Sequence, residues 1–210
     1  MKRAIIIING DLANIDNVKF LPSDFIVCAD GAVEKILKIN ILPTVVIGDF
    51  DSTSKKTLQK IKEKKIQIIT YPREKDKTDS ELALEYAIEK KYKYIIICGL
   101  LGTRIDHLLG NVLLLGKYIT KGLELTIHEH KTTMYTVRNK LIIKGKKNDT
   151  ISLLPITKHV IGVLTNGLYY KLDNESLDFG FSRGMSNYMI EDRCEVNIKK
   201  GILLVSHTTI

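Results

Sequence analysis

The sequence of 210 residues has no tryptophan, few prolines and only three cysteines. Cys28, Cys98 and Cys194 lie far apart without a C-x-x-C pair, which favours reduced thiols in a cytoplasmic protein over a disulfide framework. No apolar segment has the length of a membrane span, so we expect no membrane partner. The apolar run after Lys2-Arg3 stops at Asn9-Gly10, and it predicts a first strand instead of an export signal.

Common signatures of nucleotide and nucleic-acid binding are also missing. There is no G-x-x-x-x-G-K-[ST] loop, which excludes an ordinary P-loop enzyme. Basic residues are not interleaved with aromatic ones, which argues against single-strand binding by stacking. The formal net charge is +8, but lysine pairs such as Lys55-Lys56 and Lys64-Lys65 are typical of solvated helix faces. We therefore expect no nucleic-acid partner.

What the first half does contain is an alternation of short apolar strands and helix-like segments. Runs such as "FIVCAD", "TVVIGD" and "YIIICG" are rich in apolar residues, as in strands that are buried on both faces. Between such runs, the sequence predicts helices over 32–38, 54–64, 79–90 and 104–118. This alternation predicts an α/β fold, with a Rossmann-like parallel sheet and flanking helices.

The last of these helices has an apolar stripe with helical spacing, which we expect to face the core. The stripe consists of Ile105, Leu108, Leu109, Val112 and Leu113. Arg104, His107 and Asn111 fall on a different face, which begins where the preceding strand ends.

After roughly residue 122 the pattern changes to strand-like segments separated by Gly, Asn, Asp and Pro, with no convincing amphipathic helix. This spacing predicts an all-β sandwich or barrel. Lys200-Gly201 predicts a tight hairpin between the last two strands. We therefore divide the chain into an α/β domain, residues 1–122, and a β domain, residues 123–210.

Polar side chains follow four strands of the α/β half, at the point where each strand ends. They occur in Asp30-Gly31, in Asp49 to Ser52, in Arg73 to Asp79 and in Gly99 to His107. Because ligands of parallel α/β sheets bind at the carboxyl edge, we expect these segments to form one site. Asp49 and Asp51 are two positions apart, so they would point the same way in an extended backbone.

Converging carboxylates need a cation between them. Two carboxylates about 4 Å apart repel by about 4 kcal/mol at an effective dielectric constant near 20. Mg²⁺ relieves this repulsion and prefers a few carboxylates together with waters and phosphates. Glycine-containing loops, helix N-termini and basic side chains suit phosphates as well. The residues therefore predict a Mg²⁺-nucleotide site. His128-Glu129-His130 is a competing metal candidate, but it lacks a third ligand nearby and is interpreted as a surface feature of a strand.

Six segments, in order, resemble those of one enzyme family over essentially the whole chain. They are "ADGAVEKIL…ILPTVVIGDFDS", "YPREKDKTDSELAL", "GLLGTRIDHLLGN", "SLLP", "TNGLYYKL" and "FSRGMSN". Together they resemble the thiamine pyrophosphokinase family. The resemblance implies transfer of the pyrophosphoryl group of ATP to the hydroxyl of thiamine, with Mg²⁺ as cofactor. It also implies a first domain that binds nucleotide, a β domain that binds thiamine, and a homodimer with active sites between subunits.

By position, the resemblance implies roles for individual residues. Asp49, Asp51 and Asp79 correspond to the acids that bind Mg²⁺ and handle phosphate, and Arg104 and Asp106 complete the catalytic set. The residues expected to bind ATP are Asp30, Gly31, Gly48, Ser52, Lys75, Asp76, Thr78, Gly102, Arg104 and His107. The residues expected to bind thiamine are Ser182, Gly184, Ser186 and Asn187.

Two departures from the family pattern concern the substrates. Ala32 replaces the second glycine of the usual "ADGG", and Tyr169 stands where lysine is frequent. Without tryptophan, stacking on thiamine must use Tyr, Phe or His. Three alternatives stay open: a diphosphokinase for another hydroxymethyl heterocycle such as a pterin, a nucleic-acid-binding or regulatory protein, and a degenerate enzyme that senses nucleotide or thiamine.

Overall fold

The computed structural model describes residues 2–13, 15, 18–51, 53–102, 104–119 and 122–210. The chain divides into two compact units, Met1–His130 and Lys131–Ile210. Within the described ranges, no helix combines the length and the apolar character that crossing a bilayer requires.

The first unit alternates strands and helices as the sequence predicts. Its strands are β1 (Arg3–Ile7), β2 (Phe25–Ala29), β3 (Val45–Gly48), β4 (Gln67–Thr70), β5 (Tyr94–Cys98) and β6 (Glu124–Glu129). Its helices are α1 (Ala32–Lys38), α2 (Lys55–Glu63), α3 (Asp79–Glu89) and α4 (Ile105–Ile119). The α/β fold class is thereby confirmed for this unit, and the predicted helix ends agree to within a residue or two.

The six strands of the first unit are parallel and pair in the order β6-β5-β1-β2-β3-β4. From β1 the chain proceeds outward through β2, β3 and β4, and it then returns to the other side of β1 for β5 and β6. This change of direction is a topological switch point between β1 and β5. Crevices that bind ligands form at such points, beyond the carboxyl ends of the strands.

Helix α4 differs from its prediction, because its apolar stripe does not face the core. Ile105, Leu109 and Leu113 are exposed, whereas the buried residues of the helix include Asn111 and Leu115. The expected core stripe was therefore wrong for these three positions. Helical periodicity identifies an apolar face, but the packing against neighbouring elements decides which face is covered.

The second unit consists of antiparallel strands, which confirms the predicted all-β part. The strands are β7 (Thr132–Val137), β8 (Lys140–Lys144), β9 (Thr150–Pro155), β10 (His159–Asn166), β11 (Glu175–Asp178), β12 (Asn187–Tyr188), β13 (Arg193–Asn197) and β14 (Leu203–Thr208). They pair in the orders β12-β9-β14-β7 and β11-β10-β13-β8. One apolar cluster includes residues of both sets, such as Leu153, Val163 and Val205, as in a sandwich.

The hairpin predicted at Lys200-Gly201 is not formed, because β13 and β14 belong to different sheets. Gly201 has a φ of 97°, and a Cβ atom there would lie 2.5 Å from the carbonyl oxygen of His159. The glycine is needed for this close passage of the chain.

Candidate active site

A cavity of about 600 Å³ lies at the carboxyl edge of the sheet in the first unit. Segments that follow β1, β2, β3, β4 and β5 all contribute to its wall, together with one face of α4. The residues that line the cavity are Ile8, Asn9, Gly10, Ala29, Asp30, Asp49, Arg73, Lys75, Lys77, Thr78, Asp79, Ser80, Gly99, Leu100, Gly102, Arg104, His107 and Asn111. Eight of the residues predicted to form the site are among them: Asp30, Asp49, Lys75, Thr78, Asp79, Gly102, Arg104 and His107.

Asp49 reaches the cavity from a tight turn that follows β3. Phe50 has a φ of 62°, and the backbone N–H of Asp51 donates to Oδ1 of Asp49 at 3.1 Å. The backbone is therefore not extended here, and the alternation that would point Asp49 and Asp51 in one direction does not apply. A left-handed conformation is unusual for a bulky residue such as Phe50, and such conformations are concentrated at functional sites.

Gly48 explains how Asp30 and Asp49 come close together. A Cβ atom at Gly48 would lie 3.0 Å from both Cα and Cβ of Asp30. The backbone N–H of Asp30 donates to the carbonyl oxygen of Ile47 at 2.7 Å. The missing side chain thus lets the end of β3 lie directly against the residue that follows β2.

The cation between the acids is the ammonium group of Lys75. Its Nζ lies 3.1 Å from Oδ1 of Asp79 and 3.9 Å from Oδ2 of Asp49, and it donates to the carbonyl oxygen of Pro72 at 3.2 Å. The Lys75 side chain is only 15% exposed, so this pairing is partly shielded from water. The sequence indicated that the converging carboxylates need a positive charge between them. The side chain of Lys75 supplies that charge.

Asp79 carries an altered acidity because of these neighbours. Partial burial raises the pKa of the Asp79 carboxyl, and the negative charges of Asp30 and Asp49 raise it further, while Lys75 opposes the shift without cancelling it. The carboxylates of Asp30, Asp49 and Asp79 are therefore close enough to interact. Neighbouring carboxylates of this kind can bind a further cation.

The N-terminus of α3 forms the adjacent wall. Thr78 is the N-cap, and its side-chain oxygen accepts from the backbone N–H of Glu81 at 3.2 Å. Thr78, Asp79 and Ser80 line the cavity, so the positive end of the helix dipole lies beside it. Arg73 and Lys77 add basic side chains from the preceding loop.

The face of α4 predicted to be polar also lines the cavity. Arg104, His107 and Asn111 all contribute to the wall, as their position beside the end of β5 suggested. Arg104 pairs with Asp106 at 2.6 Å, and the hydrogen bond to Arg104 is the main cause of the lowered pKa of Asp106. Arg104 remains 64% exposed, so it is accessible to an anion.

Other predicted residues are placed elsewhere. Of the described residues, Gly31, Gly48, Asp51, Asp76 and Asp106 do not line the cavity. Asp51 faces Arg73 at 3.3 Å instead of the point shared by Asp49 and Asp79. Ser52 lies outside the described residues.

The loop after β1 was missed in the sequence analysis, although it contributes Asn9 and Gly10. It joins the loop after β5: Gly10 donates its N–H to the carbonyl oxygen of Gly99 at 3.0 Å. A Cβ atom at Gly10 would lie 2.2 Å from that oxygen. The sequence does contain an indication of this loop, because Asn9-Gly10 directly follow the first strand, as the other predicted site segments follow theirs.

In the second unit, the segment Ser182 to Asn187 borders a separate hollow. Its wall includes Tyr170, Arg183, Gly184, Met185 and Asn187, whereas Ser182 and Ser186 are not part of it. Asn187 fixes the neighbouring chain, since its side chain accepts from the N–H of Tyr170 at 3.0 Å and donates to the Tyr170 carbonyl at 2.8 Å.

The aromatic residues near this hollow are stacked. The rings of Tyr169 and Tyr188 are 4.7 Å apart and nearly parallel, and Tyr170 meets Tyr169 edge-on at 4.9 Å. Tyr169 and Tyr170 are both more than half exposed, at 57% and 62%. They are the kind of side chain that a planar organic ligand stacks on.

The His128-Glu129-His130 candidate does not form a metal site. Among the described residues, no group of three or more His, Cys, Asp or Glu side chains is arranged to hold a metal ion. His130 has a φ of 49° and follows the end of β6, so the two histidines do not share a regular strand face. Glu129 is buried, at 6% exposed, and the interpretation as a surface feature was wrong for this residue.

Comparison with known proteins gives matches to two family models. Residues 20–127 match the family model described as "Thiamin pyrophosphokinase, catalytic domain", and residues 138–203 match "Thiamin pyrophosphokinase, vitamin B1 binding domain". The chain belongs to the thiamine pyrophosphokinase family. Because this is a family of enzymes, the chain is an enzyme.

Individual members of the thiamine pyrophosphokinase family are similar over most of their length. The thiamine pyrophosphokinase of Bacillus subtilis is 30% identical over 182 residues, which cover 86% of this chain and 85% of the relative. A crystal structure of thiamine pyrophosphokinase from Bacillus subtilis has a TM-score of 0.88 at 26% identity, with 99% of each chain covered. One from Geobacillus thermodenitrificans has a TM-score of 0.83 at 25% identity, covering 99% of this chain and 98% of that one.

The two family matches divide the candidate residues between them. The cavity acids Asp30, Asp49 and Asp79 fall in the match to the thiamine pyrophosphokinase catalytic domain, and Ser182 to Asn187 fall in the vitamin B1 binding match. Asn9 and Gly10 line the cavity but precede the catalytic match, which begins at residue 20.

Proposed function

We propose that this enzyme transfers the pyrophosphoryl group of ATP to the hydroxyl of thiamine, giving thiamine diphosphate and AMP. The observation that carries the proposal is the placement of Asp49 and Asp79 on either side of the Lys75 ammonium, in a cavity that also presents Arg73 and Arg104. Acids and bases that converge in this way suit a polyphosphate chain with a divalent ion.

In the proposed reaction, the thiamine hydroxyl attacks the β-phosphorus of ATP in line, and the bond from that phosphorus to the α-phosphate oxygen breaks. The protein contributes mainly positioning and electrostatic stabilisation. Arg104 is the preferred candidate to neutralise charge on the phosphate chain, because it lines the cavity and is exposed. Lys75 is a second candidate, and the N-terminus of α3 supplies further positive potential.

Mg²⁺ is proposed as the cofactor, and the donor set fits it. Two carboxylates face one cationic point, and Mg²⁺ is usually bound by one or two carboxylates together with substrate phosphates and waters. Asp49 and Asp79 would hold the ion, which would screen the charge of the phosphate chain, and Asp51 would have to leave Arg73 to join them. Asp51 is proposed from the family resemblance, and its present partner is Arg73 at 3.3 Å.

The remaining assignments to ATP and to thiamine are also proposals. We assign nucleotide binding to the first unit, including Gly31, Asp76 and Asp106, and thiamine binding to the second unit. Within the second part, Ser182 to Asn187 and the exposed rings of Tyr169 and Tyr170 would contact thiamine. The stacked tyrosines support this assignment, since the sequence contains no tryptophan to stack on a heterocycle.

We further propose a homodimer in the cytoplasm. The exposed apolar stripe of α4, formed by Ile105, Leu109 and Leu113, is the kind of surface that a partner subunit covers. Cys28, Cys98 and Cys194 are free and buried, which suits a reducing compartment.

The test is product identification with purified protein, ATP, thiamine and Mg²⁺. The expected products are thiamine diphosphate and AMP in equal amounts. ADP with thiamine monophosphate would contradict the proposal, because it indicates transfer of a single phosphoryl group. Parallel assays with a hydroxymethyl pterin test the closest alternative. If the enzyme turns over the pterin in preference to thiamine, the pterin is the acceptor.

The metal assignment is tested separately with Asp51→Asn. We expect the variant to keep the circular dichroism spectrum of the wild type and to lose most of its turnover. Activity close to that of the wild type would remove Asp51 from the proposed Mg²⁺ ligands.

A further inference from the structure

Glu129 is a buried acid that the proposed reaction does not use. It is the last residue of β6 and is 6% exposed, and its Oε1 accepts from the backbone N–H of Leu100 at 2.5 Å. It does not line the cavity, but Gly99 and Leu100 do. Glu129 therefore contacts the cavity wall from behind.

The pKa of the Glu129 carboxyl reflects both its burial and its contact with this loop. Burial raises the pKa of the carboxyl, while the backbone N–H groups of Leu100, Leu101 and Gly99 act in the opposite direction. A buried carboxylate is tolerated only where hydrogen bonds replace its lost hydration. The N–H of Leu100 supplies such a bond to Oε1, although the pKa of the carboxyl stays raised overall, so the loop and the carboxylate constrain each other at this point.

The carbonyl groups of the same loop face the other way. Gly99 accepts from the N–H of Gly10 at 3.0 Å, and Leu101 accepts from the N–H of Asp11. A Cβ atom at Gly99 would lie 2.3 Å from the carbonyl oxygen of Ile8, so the two loops are in close backbone contact. The position of the loop after β1 thus depends on that of the loop after β5.

His130 extends this arrangement by one residue. Its Nε2 lies 3.4 Å from Oδ2 of Asp11, the residue that follows Gly10. The two residues at the end of β6 therefore contact both loops of the cavity wall. Glu129 contacts the loop after β5, and His130 contacts the loop after β1.

A consequence for ligand recognition follows from the direction of the amides. Consecutive backbone N–H groups in a glycine-containing loop often bind phosphate. Here the N–H of Leu100, in the middle of the loop, is directed at Oε1 of Glu129, so it is not available to a phosphate. The basic side chains of the cavity wall, Arg73, Lys75, Lys77 and Arg104, all lie outside the Gly99–Leu101 segment, which leaves the uncharged part of a nucleotide for this loop.

We propose that Glu129 is a positioning residue that holds the Gly99–Leu101 loop, and through it Gly10, in the shape that receives the base and sugar of ATP. This inference rests on the proposed function, because it takes ATP as the nucleotide. It assigns to Glu129 an effect on nucleotide affinity and none on the transfer step itself.

The experiment compares the wild type, Glu129→Gln and Glu129→Leu, with Glu124→Gln as a matched control. Glu124 is an exposed acid at the other end of the same strand. Binding of ATP, adenosine and inorganic tripolyphosphate is measured by calorimetry without thiamine, and steady-state kinetics follow. Hydrogen exchange of the amides at residues 99–101 reports the loop independently of any activity.

We expect Glu129→Gln to weaken ATP and adenosine about tenfold, the effect of losing roughly 1.4 kcal/mol of a charge-assisted hydrogen bond. Glu129→Leu should weaken them more, and tripolyphosphate binding should not change. KM for ATP should rise while kcat stays within about twofold. The amides at 99–101 should exchange faster in both variants but not in Glu124→Gln.

Unchanged exchange at 99–101, or equal loss of tripolyphosphate and adenosine binding, would overturn the inference. If Glu129→Leu fails to fold, Glu129→Gln decides the matter, because it preserves the size of the side chain and one acceptor oxygen. Failure of the wild type to bind ATP would instead overturn the proposed function, and the exchange result would still test the role of Glu129 in the loop.

Discussion

Asp79 in the first unit and Asp149 in the second are both partly or wholly removed from water, but their neighbours differ. Asp79 lies near Asp30 and Asp49, and its pKa is raised. Asp149 is 2% exposed, and it is surrounded by donors: Nε2 of His207 at 2.8 Å and the N–H of Lys146 at 2.9 Å.

The outcome for Asp149 is the opposite shift. Burial alone would raise its pKa, but His207 and the N–H groups of Lys146 and Ile210 lower it overall. A carboxylate enclosed by donors contributes to stability, whereas one enclosed by other acids is held at some cost to stability. Asp149 therefore stabilises the fold, whereas Asp79 and the acids beside it are arranged to bind a ligand.

The largest expected effect comes from Asp79→Asn. We expect kcat/KM to fall about a hundredfold to a thousandfold, the usual loss when a charge-stabilising group is removed from an active site. The thermal unfolding temperature should not fall, because the change removes repulsion with Asp30 and Asp49. Glu74→Gln, an exposed acid in the preceding loop, is the control and should leave both quantities unchanged. A variant that loses stability along with activity would contradict the comparison.

Asp149→Asn should show the reverse pattern. We expect a loss of about 2–4 kcal/mol in the free energy of unfolding at pH 7, because buried charge-assisted hydrogen bonds are broken. Activity per folded molecule should stay within about twofold. Urea unfolding provides the measurement, and Asp173→Asn, an exposed acid of the same unit, is the control.

The pH dependence of this loss sharpens the test. Because the folded-state pKa of Asp149 is lowered, its contribution is fully present above the ordinary carboxyl pKa and disappears as the pH falls through the lowered value. The difference in stability between wild type and Asp149→Asn should therefore hold from neutral pH down to the ordinary carboxyl pKa and shrink below it. A difference that is constant or grows on acidification would contradict the assignment.

Lys75→Met tests the cation at the centre of the cavity. Without the ammonium group, Asp49 and Asp79 face each other unscreened, so we expect a loss of about 1–2 kcal/mol of stability in the presence of a chelator. Millimolar Mg²⁺ should restore much of this loss and have little effect on the wild type. Thermal unfolding with and without Mg²⁺ is the measurement. A variant that does not respond to Mg²⁺ would argue against a divalent ion at this point.

The smallest expected effect concerns the two faces of α4. Leu113→Gln should change the free energy of unfolding of the monomer by less than about 0.5 kcal/mol, because Leu113 is 71% exposed. Leu115→Ala, only two positions away, should cost about 2–5 kcal/mol, because Leu115 is 2% exposed. Sedimentation of Leu113→Gln also tests the proposed dimer surface. A large loss of monomer stability in Leu113→Gln would instead support the core stripe predicted from the sequence.

The sequence was sufficient for the elements and for the approximate location of the site. Local apolar runs and caps such as Thr78 determine where strands and helices begin, and parallel strands bring their carboxyl ends to one edge. The order of residues along the chain was therefore enough to expect Asp30, Asp49 and Asp79 in one cavity. Their placement at one edge follows from the parallel sheet, whereas the order of the strands in that sheet was not predicted.

What could not be predicted depends on contacts between distant segments. The position of Lys75 between two acids depends on how the loop after β4 lies against the end of β3. The exposure of Leu113 depends on which elements pack against α4, and the burial of Glu129 depends on a loop 29 residues away in sequence. In each case the residue type was informative, but its environment was a property of the folded chain.

Gly48 has a consequence for how a ligand is received. Because its bare Cα lies against Asp30, main-chain packing sets the separation between the segments that carry Asp30 and Asp49. A ligand therefore meets acids whose backbone is already preorganised, and little conformational entropy remains to be lost there on binding. Even the methyl group of an alanine at this position would force the two segments apart by a few tenths of an ångström.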